Sequence, residues 1–206
     1  MNHSKDYEQT MKRNHVVHTE YTDTKLNYAE LIFKHLRSLK HGYRLSNKPL
    51  IQSYTVAEHC YYTGLLFKWL SCKENVIITE EELLWVFQHD ILESVTGDLL
   101  LPAKSFNSKT KSYWESIEKE LTNETYIYLS YYSDKTGKQI FTPRAWELFK
   151  AVDLLELWLF CKEEQMLGNK HRVIRVIIQN CKNIIFPFEF HSINNILGGE
   201  IEELWT

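Results

Sequence analysis

Apolar side chains recur at helical spacing along most of the chain. Within residues 24–40 the apolar positions repeat every three or four residues, which is typical of an amphipathic helix. Residues 60–72 are apolar on most faces, so the pattern there predicts a largely buried helix. Further helical patterns cover residues 82–95, 111–132, 144–169 and 171–186. Together they predict a compact, mostly helical globule.

Polar signals mark where several of these helices begin and end. Residues 55–58 and 79–82 both fit the capping box, in which a threonine and a glutamate satisfy backbone donors at a helix start. Residues 142–143 are a threonine and a proline, a common pair at the first helical positions. The first signal places His59 in the first turn of a helix. Gly97 is expected to end the helix that residues 79–82 begin.

Few residues of the chain favour turns, which also supports a helical globule. The chain has 206 residues, with 7 glycines and 4 prolines, and 44% of its residues are hydrophobic. This length and composition fit one domain with a substantial core. Residues 1–22 are polar and aperiodic, so we expect a loosely held arm there and a single domain over residues 23–206.

The net charge of the chain indicates which classes of molecule it could bind. A net charge of −3 argues against binding to a nucleic-acid polymer, which requires an excess of basic residues, whereas a small anionic substrate needs only a local cationic cluster. Neither a transmembrane-length apolar run nor a signal-peptide core is evident. We therefore expect no membrane association and a cytoplasmic location. The bias towards Lys, Asn and Ile suggests a bacterial genome or that of a phage in a bacterial host.

The cysteines suggest no disulfide framework or zinc knuckle. All four lie within apolar helical patterns, and none forms a CxxC pair. Such thiols behave as small hydrophobic residues in a reducing compartment. We therefore predict reduced core residues at Cys60, Cys72, Cys161 and Cys181.

Aspartates are concentrated in apolar surroundings. The chain has six, and three of them, Asp90, Asp98 and Asp153, stand among hydrophobic residues. No rotation of its helix places Asp153 on a fully polar face, because its neighbours on both sides are apolar. A buried carboxylate is costly unless a cation compensates it. These aspartates therefore call for positively charged partners.

A metal ion is one such partner. His59 near one helix start, His89 with Asp90 in a second helix and Asp153 in a third could converge in a bundle core. Imidazole nitrogens and carboxylate oxygens are the usual ligands of first-row divalent metals. Glu93, four residues after His89, could orient or deprotonate a water molecule beside such a metal.

Each of these residues also has a simpler interpretation. A core histidine is often a hydrogen-bonded structural residue, and Asp153 could pair with Arg144 or Lys150. The residues alone therefore leave a metal site and a structural polar core equally open.

The order of three motifs resembles a known family. VAEH, QHDILESVTGDLLLPAK and KAVDLLELWLFCKEEQMLGN, read in that order, resemble the HD-domain metal-dependent phosphohydrolases, and in particular the YfbR-like 5′-deoxynucleotidases. The similarity spans about residues 26–170. It implies an all-α fold, the HD-domain helical bundle, and an enzyme that acts on a small deoxynucleotide.

The resemblance assigns roles to individual residues. It implies that one divalent transition metal, such as Co, Mn, Zn, Ni or Fe, is held by His59, His89, Asp90 and Asp153. Glu93 matches the carboxylate that acts on the nucleophilic water. Asp98 matches the residue that holds the sugar hydroxyl of the nucleotide, and we count it with Glu93 as catalytic.

Substrate contacts follow from the same resemblance. Arg44 stands fifteen residues before the first ligand histidine, where the family directs an arginine at the substrate phosphate. Lys104 matches the lysine of the family's P-x-K motif. Leu45 departs from the tryptophan that close relatives place after the arginine, so either Tyr43 or Tyr54 supplies the ring or the selectivity for sugar and base differs.

The sequence is compatible with three functions. The leading one is hydrolysis of deoxynucleoside 5′-monophosphates. A dATP-type triphosphohydrolase shares the motifs, and Lys104, Lys109 and Lys111 could bind the additional phosphates. A non-catalytic nucleotide-binding module is the alternative from another class.

The resemblance also bears on oligomeric state. Because relatives commonly form dimers or larger rings, we expect a homodimer or a higher homo-oligomer. An oligomer surface could lie at Tyr126, Tyr128, Tyr131 and Tyr132.

Overall fold

The computed structural model describes residues 31–98, 106–129 and 140–199, and these ranges are mostly helical, with a longer non-helical loop at residues 42–55. The helices are α1 (Val56–Lys73), α2 (Glu80–Phe87), α3 (Glu93–Thr96), α4 (Ser108–Leu129), α5 (Pro143–Met166), α6 (Arg172–Ile185) and α7 (His191–Gly198). Shorter helical turns lie at Leu31–Leu36, Ser38–His41 and Phe186–Phe188. The all-α prediction is confirmed for the described residues, in which the only β-type pairing is an isolated bridge between Tyr43 and Thr55.

The expected helix starts are confirmed. Reciprocal capping-box hydrogen bonds open α1 at residues 55–58 and α2 at residues 79–82. Thr142 caps α5 by accepting a hydrogen bond from the backbone of Ala145. The second oxygen of Glu82 also accepts the Thr142 N–H at 3.0 Å. The buried Glu82 carboxylate therefore joins the first turns of α2 and α5.

Helix α5 forms the centre of the bundle and packs against both α1 and α6. It buries Leu148, Val152 and Leu155 completely. Phe67 and Leu70 of α1 are equally buried in the same core. This packing explains why a helix that carries Asp153 is apolar on nearly every face. No described helix is long and apolar enough to cross a bilayer.

Gly64 allows α1 and α2 to approach closely, because a Cβ atom at this position would overlap the ring of Phe87. We expect the Gly64→Ala substitution to destabilise the fold by about 1–3 kcal/mol through overpacking. The free energy of unfolding in urea would measure the loss. Gly198→Ala is the matched control, since nothing lies within 4 Å of a Cβ there. Equal stability of Gly64→Ala and the natural protein would show that the ring moves aside freely.

The predicted continuous helix over residues 82–95 is wrong. Helix α2 ends at Phe87, and His89 and Asp90 lie in turns before the short α3. His89 Nδ1 lies 2.7 Å from the carbonyl oxygen of Val86, and this side chain competes for an acceptor that a regular helix would use. In a regular helix the side chains of neighbouring residues project about 100° apart. Because the helix ends at Phe87, the side chains of His89 and Asp90 can point towards the same site.

The two ends of the described structure also differ from expectation. Residues 31–41, which include the described part of the helix predicted over residues 24–40, form two short helical turns before the chain enters the extended segment that pairs Tyr43 with Thr55. Towards the other end, α7 was not predicted, although it buries Ile193 and Leu197. The expected arm at residues 1–22 lies outside the described residues.

Three of the four cysteines are buried as predicted, and all four are free thiols. Cys72 is the exception because it lies on the outward face of α1 and is exposed. Burial raises the pKa of Cys181 to about 11, and a neighbouring negative charge at Asp153 adds to the rise. This thiol is therefore protonated and unreactive at neutral pH.

Candidate metal and phosphate site

Four polar side chains from three parts of the fold meet at one point. His59 comes from the first turn of α1, His89 and Asp90 from the turn after α2, and Asp153 from the middle of α5. The Nε2 atoms of the two histidines are 3.2 Å apart. Asp153 Oδ1 lies 3.1 Å from Nε2 of His59 and 3.6 Å from Nε2 of His89. Asp90 Oδ2 lies 3.6 Å and 3.5 Å from the same two atoms.

Hydrogen bonds at the Nδ1 atoms fix the orientation of the His59 and His89 rings, so that their Nε2 atoms face the cluster. Nδ1 of His89 contacts the Val86 carbonyl oxygen, and Nδ1 of His59 lies 2.5 Å from Glu156 Oε2. Because both partners are acceptors, the Nδ1 atoms carry the protons, and both Nε2 lone pairs point into the cluster. Two lone pairs and two carboxylates facing each other need a cation between them.

The spacing of these donor atoms fits a single metal ion. Donors that bind one ion at about 2.1 Å lie roughly 3.0–3.4 Å from one another. The measured separations of 3.1–3.6 Å are close to that range. The protein therefore offers two imidazoles and two carboxylates that could hold a divalent metal.

The pKa shifts of His89 and Asp153 also indicate that the cluster attracts a cation. Burial lowers the pKa of His89, but the charge of Asp90 and a hydrogen bond with Asp153 outweigh burial and raise it well above its ordinary value. Burial raises the pKa of Asp153, but hydrogen bonds and charge from His59 and His89 lower it well below the ordinary value. Both shifts show that the cluster attracts positive charge, whether a proton or a metal ion.

Sequence reasoning missed Glu156 and the contact of Tyr54 with it. The Tyr54 hydroxyl donates to Glu156 and lies 3.0 Å from Nδ1 of His59. Both residues are buried, and the Tyr54 ring stacks on Phe160. Burial and the neighbouring Glu156 raise the pKa of Tyr54 well above its usual value, so the hydroxyl keeps its proton. Glu156 follows Asp153 by three residues in an apolar helix, and that spacing was an available signal.

We expect the Glu156→Gln substitution to weaken divalent-metal binding by about 10- to 100-fold, because the amide no longer fixes the His59 ring as a carboxylate does. Titration of metal into the metal-free protein would measure the change. Glu163→Gln is a suitable control, since this carboxylate is on the same helix and hydrogen-bonds only Gln52, at 3.3 Å, among the contacts described. Unchanged metal affinity in Glu156→Gln would contradict a role for the hydrogen bond in positioning His59.

Arg44 lies directly beside the cluster. Its backbone N–H donates to the Tyr54 carbonyl at 2.7 Å, and its guanidinium pairs with Asp90 and lies over the Tyr54 ring. Burial opposes the charge, but Asp90, Asp153 and Glu93 raise the pKa of Arg44 further above its already high value. Arg44 is therefore a permanent cation next to the proposed metal ligands.

The loop that carries Arg44 is fixed to the end of α5. The buried Glu164 carboxylate accepts the backbone N–H groups of Ile51 at 2.8 Å and Gln52 at 2.9 Å. Asn169 donates to Glu164 at 2.6 Å and to the Pro49 carbonyl at 2.8 Å. These bonds hold the loop in place without a helix or strand of its own.

Asp98 and Leu45 contact each other. Leu45 has a left-handed backbone with φ of 53°, and its N–H donates to Asp98 Oδ2 at 2.8 Å. Its side chain packs on the cluster that contains Tyr54 and Phe160. Asp98 therefore holds the backbone next to Arg44 in this structure.

The remaining predicted residues are placed as follows. Glu93 opens α3, and its backbone N–H bonds the Asp90 carbonyl at 2.9 Å, so it lies one turn beyond Asp90. Lys104 lies outside the described residues. Tyr54 is buried and Tyr43 is half-exposed, so of the two rings only Tyr43 is open to a ligand.

The alternative partners for Asp153 are engaged elsewhere. Arg144 contacts Glu147 at 2.9 Å and lies over the ring of Phe190. Lys150 lies over the rings of Trp146 and Phe149. The contacts of Asp153 with the two histidines therefore favour the metal-site interpretation over a structural ion pair.

Comparison with known proteins gives consistent results. The model of the family described as 5′-deoxynucleotidase YfbR-like matches residues 31–194. Proteins named 5′-deoxynucleotidase YfbR from Salmonella arizonae and Salmonella newport are 28% identical over 151 residues, covering 66% of this chain and 74% of theirs.

Solved structures have the same fold at lower identity. An HD-domain phosphohydrolase from Listeria innocua superimposes with a TM-score of 0.67 at 18% identity, covering 85% of this chain and 89% of that one. The cyanophage S-2L HD phosphohydrolase DatZ, solved with dA and one catalytic Zn²⁺ ion, gives 0.55 at 20% identity, covering 79% and 96%. These similarities confirm the predicted HD-domain bundle.

Proposed function

The chain belongs to the YfbR-like 5′-deoxynucleotidase family, and from that premise we propose that it removes the 5′-phosphate from deoxynucleoside 5′-monophosphates. The protein is a hydrolase, a metal-dependent phosphohydrolase of the HD-domain class that acts on deoxynucleotides. The choice of a monophosphate, the residues that bind it and the identity of the metal are our proposals.

One observation carries the proposal: the Arg44 guanidinium pairs with Asp90, inside the histidine–aspartate cluster. A phosphate that reaches the cluster therefore also comes within reach of a partly exposed guanidinium, whose planar donors match phosphate oxygens. A cluster of two histidines and two aspartates without Arg44 would fit many metal sites. The adjacent cation is what favours a phosphate substrate.

Each site residue has its own role in the proposed reaction. His59, His89, Asp90 and Asp153 would hold a divalent metal, which when bound supplies Lewis-acid charge and makes water more acidic. Arg44 orients the phosphate and compensates its negative charge. Glu93, one turn beyond Asp90, accepts the proton that the attacking water loses. Asp98, which already fixes Leu45, binds the sugar hydroxyl, and Lys104 adds positive charge towards the phosphate.

The metal is proposed to be one of Mn, Fe, Co, Ni or Zn, because imidazole and carboxylate donors suit this series and availability selects among its members. The small-molecule partner is a deoxynucleotide.

Product analysis by chromatography would test the function. Metal-loaded protein is incubated in parallel with dAMP, AMP, dATP and ATP, with Asp90→Ala as the inactive control. We expect deoxyadenosine and phosphate from dAMP, little product from AMP, and no release of tripolyphosphate from dATP. The monophosphate proposal is wrong if dATP is turned over and dAMP is not.

Lys109 and Lys111, which could bind the additional phosphates of a triphosphate, lie within the described residues. Lys111 lies 3.8 Å from Glu115, and Lys109 lies over the ring of Tyr113, both at the exposed surface of α4. Both lysines therefore have neighbours on their own helix.

A further inference from the structure

His35 is a buried titratable side chain outside the metal cluster. It belongs to the Leu31–Leu36 turn and is only 6% exposed. Its Nδ1 atom lies 3.0 Å from Oγ of Ser94, a residue of α3 that is 59 positions away in the sequence. Buried polar side chains are normally hydrogen-bonded, and here the bond joins two separate parts of the fold. It therefore ties α3 to the Leu31–Leu36 turn.

Helix α3 depends on such contacts for its position. It has four residues, its N-cap Leu92 offers no capping side chain, and in the described structure none of the four residues is fully buried. A single helical turn is unstable in water, because its nucleation fixes several backbone angles for one hydrogen bond. The turns at Leu31–Leu36 and Ser38–His41 both pack against α3. Contacts with these turns, together with the fully buried Ile91 just before α3, therefore set where this helix lies.

The position of α3 matters because its first residue is Glu93 and its second is Ser94. The two residues are adjacent in one helical turn, so a bond that fixes Ser94 also fixes the backbone from which the Glu93 side chain extends. A proton acceptor must lie within hydrogen-bond reach of the water on which it acts. A misplacement of about 1 Å can lower the rate by about 10²-fold.

We propose that His35 and Ser94 are positioning residues, whose hydrogen bond holds Glu93 where it accepts the proton of the attacking water. The inference rests on the proposed function, in which Glu93 is that acceptor. The bond is available in both protonation states of His35, since a neutral Nδ1 accepts from the serine hydroxyl and a protonated Nδ1 donates to it. Positioning therefore does not require a charge on His35.

Steady-state kinetics with dAMP on the metal-loaded protein test the role of the bond. Ser94→Ala removes the hydroxyl, and we expect kcat to fall about 10-fold while KM and metal content stay unchanged. Ser71→Ala is the matched control. Ser71 is buried and its hydroxyl donates to the Lys68 carbonyl at 2.8 Å within α1, so its removal should not change kcat.

Variants of His35 separate the hydrogen bond from packing. His35→Asn places an amide near the position of Nδ1, where it can donate or accept, so most of the natural kcat should remain. His35→Phe keeps a ring without the bond and should lower kcat as much as Ser94→Ala does. His41→Phe makes the same change at an exposed histidine of the neighbouring turn and should have no effect. Equal losses in His35→Asn and His35→Phe would contradict a role for the bond.

A double-variant cycle shows whether the effect passes through Glu93. Glu93→Gln removes the proton acceptor, so the addition of Ser94→Ala to this variant should lower kcat no further. A second loss of the same size in the Glu93→Gln background would mean that Ser94 acts on another part of the site. That result would overturn the inference.

Hydrogen exchange gives a readout that needs neither metal nor turnover. The backbone N–H groups of Val95 and Thr96 bond the Leu92 carbonyl at 3.0 and 3.1 Å, and that of Gly97 bonds the Glu93 carbonyl at 2.9 Å. In metal-free Ser94→Ala we expect these three amides to exchange several-fold faster than in the natural protein, with exchange in α1 unchanged. Unchanged exchange at all three would show that the bond does not hold α3.

The same measurements distinguish failure of the inference from failure of the proposed function. Natural kcat in Ser94→Ala, in a protein that hydrolyses dAMP, would overturn the inference alone. If the natural protein hydrolyses dATP instead, the monophosphate proposal fails, and the variants are compared with dATP because Glu93 would accept the same proton. A natural protein that hydrolyses neither would overturn both.

Discussion

Replacing Asp90 with asparagine is expected to lower kcat/KM for a deoxynucleoside monophosphate by about 10³-fold or more. Asp90 is the only carboxylate for which the described contacts reach both histidines and Arg44. The pKa of Asp90 is lowered despite burial, because the charges of His89, Arg44 and His59 outweigh it, so the side chain is an anion at neutral pH. An amide keeps the shape but not the charge, and it is a poor ligand for these metals.

Phosphate release and metal content by mass spectrometry would be measured on the same Asp90→Asn sample. Both should fall, while thermal unfolding of the metal-free protein changes little. Glu115→Gln is the control, since it makes the same carboxylate-to-amide change in an exposed ion pair on α4. If Asp90→Asn keeps its metal and its activity, the proposed ligand set is incorrect.

Replacing Arg44 with lysine is expected to lower kcat/KM about 10²-fold without loss of metal. Lysine keeps the positive charge but loses the planar pair of donors that matches a phosphate, and its shorter reach leaves Asp90 less well compensated. Arg44→Ala should lower kcat/KM further.

Steady-state kinetics with metal analysis separates this role from that of a metal ligand, because the Arg44 variants should lose activity at full metal content. Arg144→Lys is the matched control, as Arg144 is exposed and contacts Glu147. Activity of Arg44→Lys equal to that of the natural protein would exclude Arg44 from phosphate binding.

Several features could be predicted from sequence because they depend on local pattern. The capping boxes at residues 55–58 and 79–82 act over four residues, so they are visible in the sequence and are confirmed. The apolar surroundings of Asp153 likewise indicated a buried carboxylate in need of a partner.

Other features depend on contacts between distant residues. The end of α2 at Phe87 follows from a side-chain contact of His89 and has no turn residue to mark it. The contact between Glu156 and His59 joins residues 97 positions apart, so only the folded chain reveals it. The left-handed backbone of Leu45 is stabilised by Asp98, 53 residues away.

Helix α5 sets a fixed distance between two functional parts of the molecule. Asp153 at its middle belongs to the proposed metal cluster, and Glu164 at its end anchors the loop that carries Arg44. Inserting or deleting a single residue between them would rotate one relative to the other by about 100° and shift it by about 1.5 Å. This stretch should therefore tolerate no change of length, which makes it an unsuitable place for an engineered insertion.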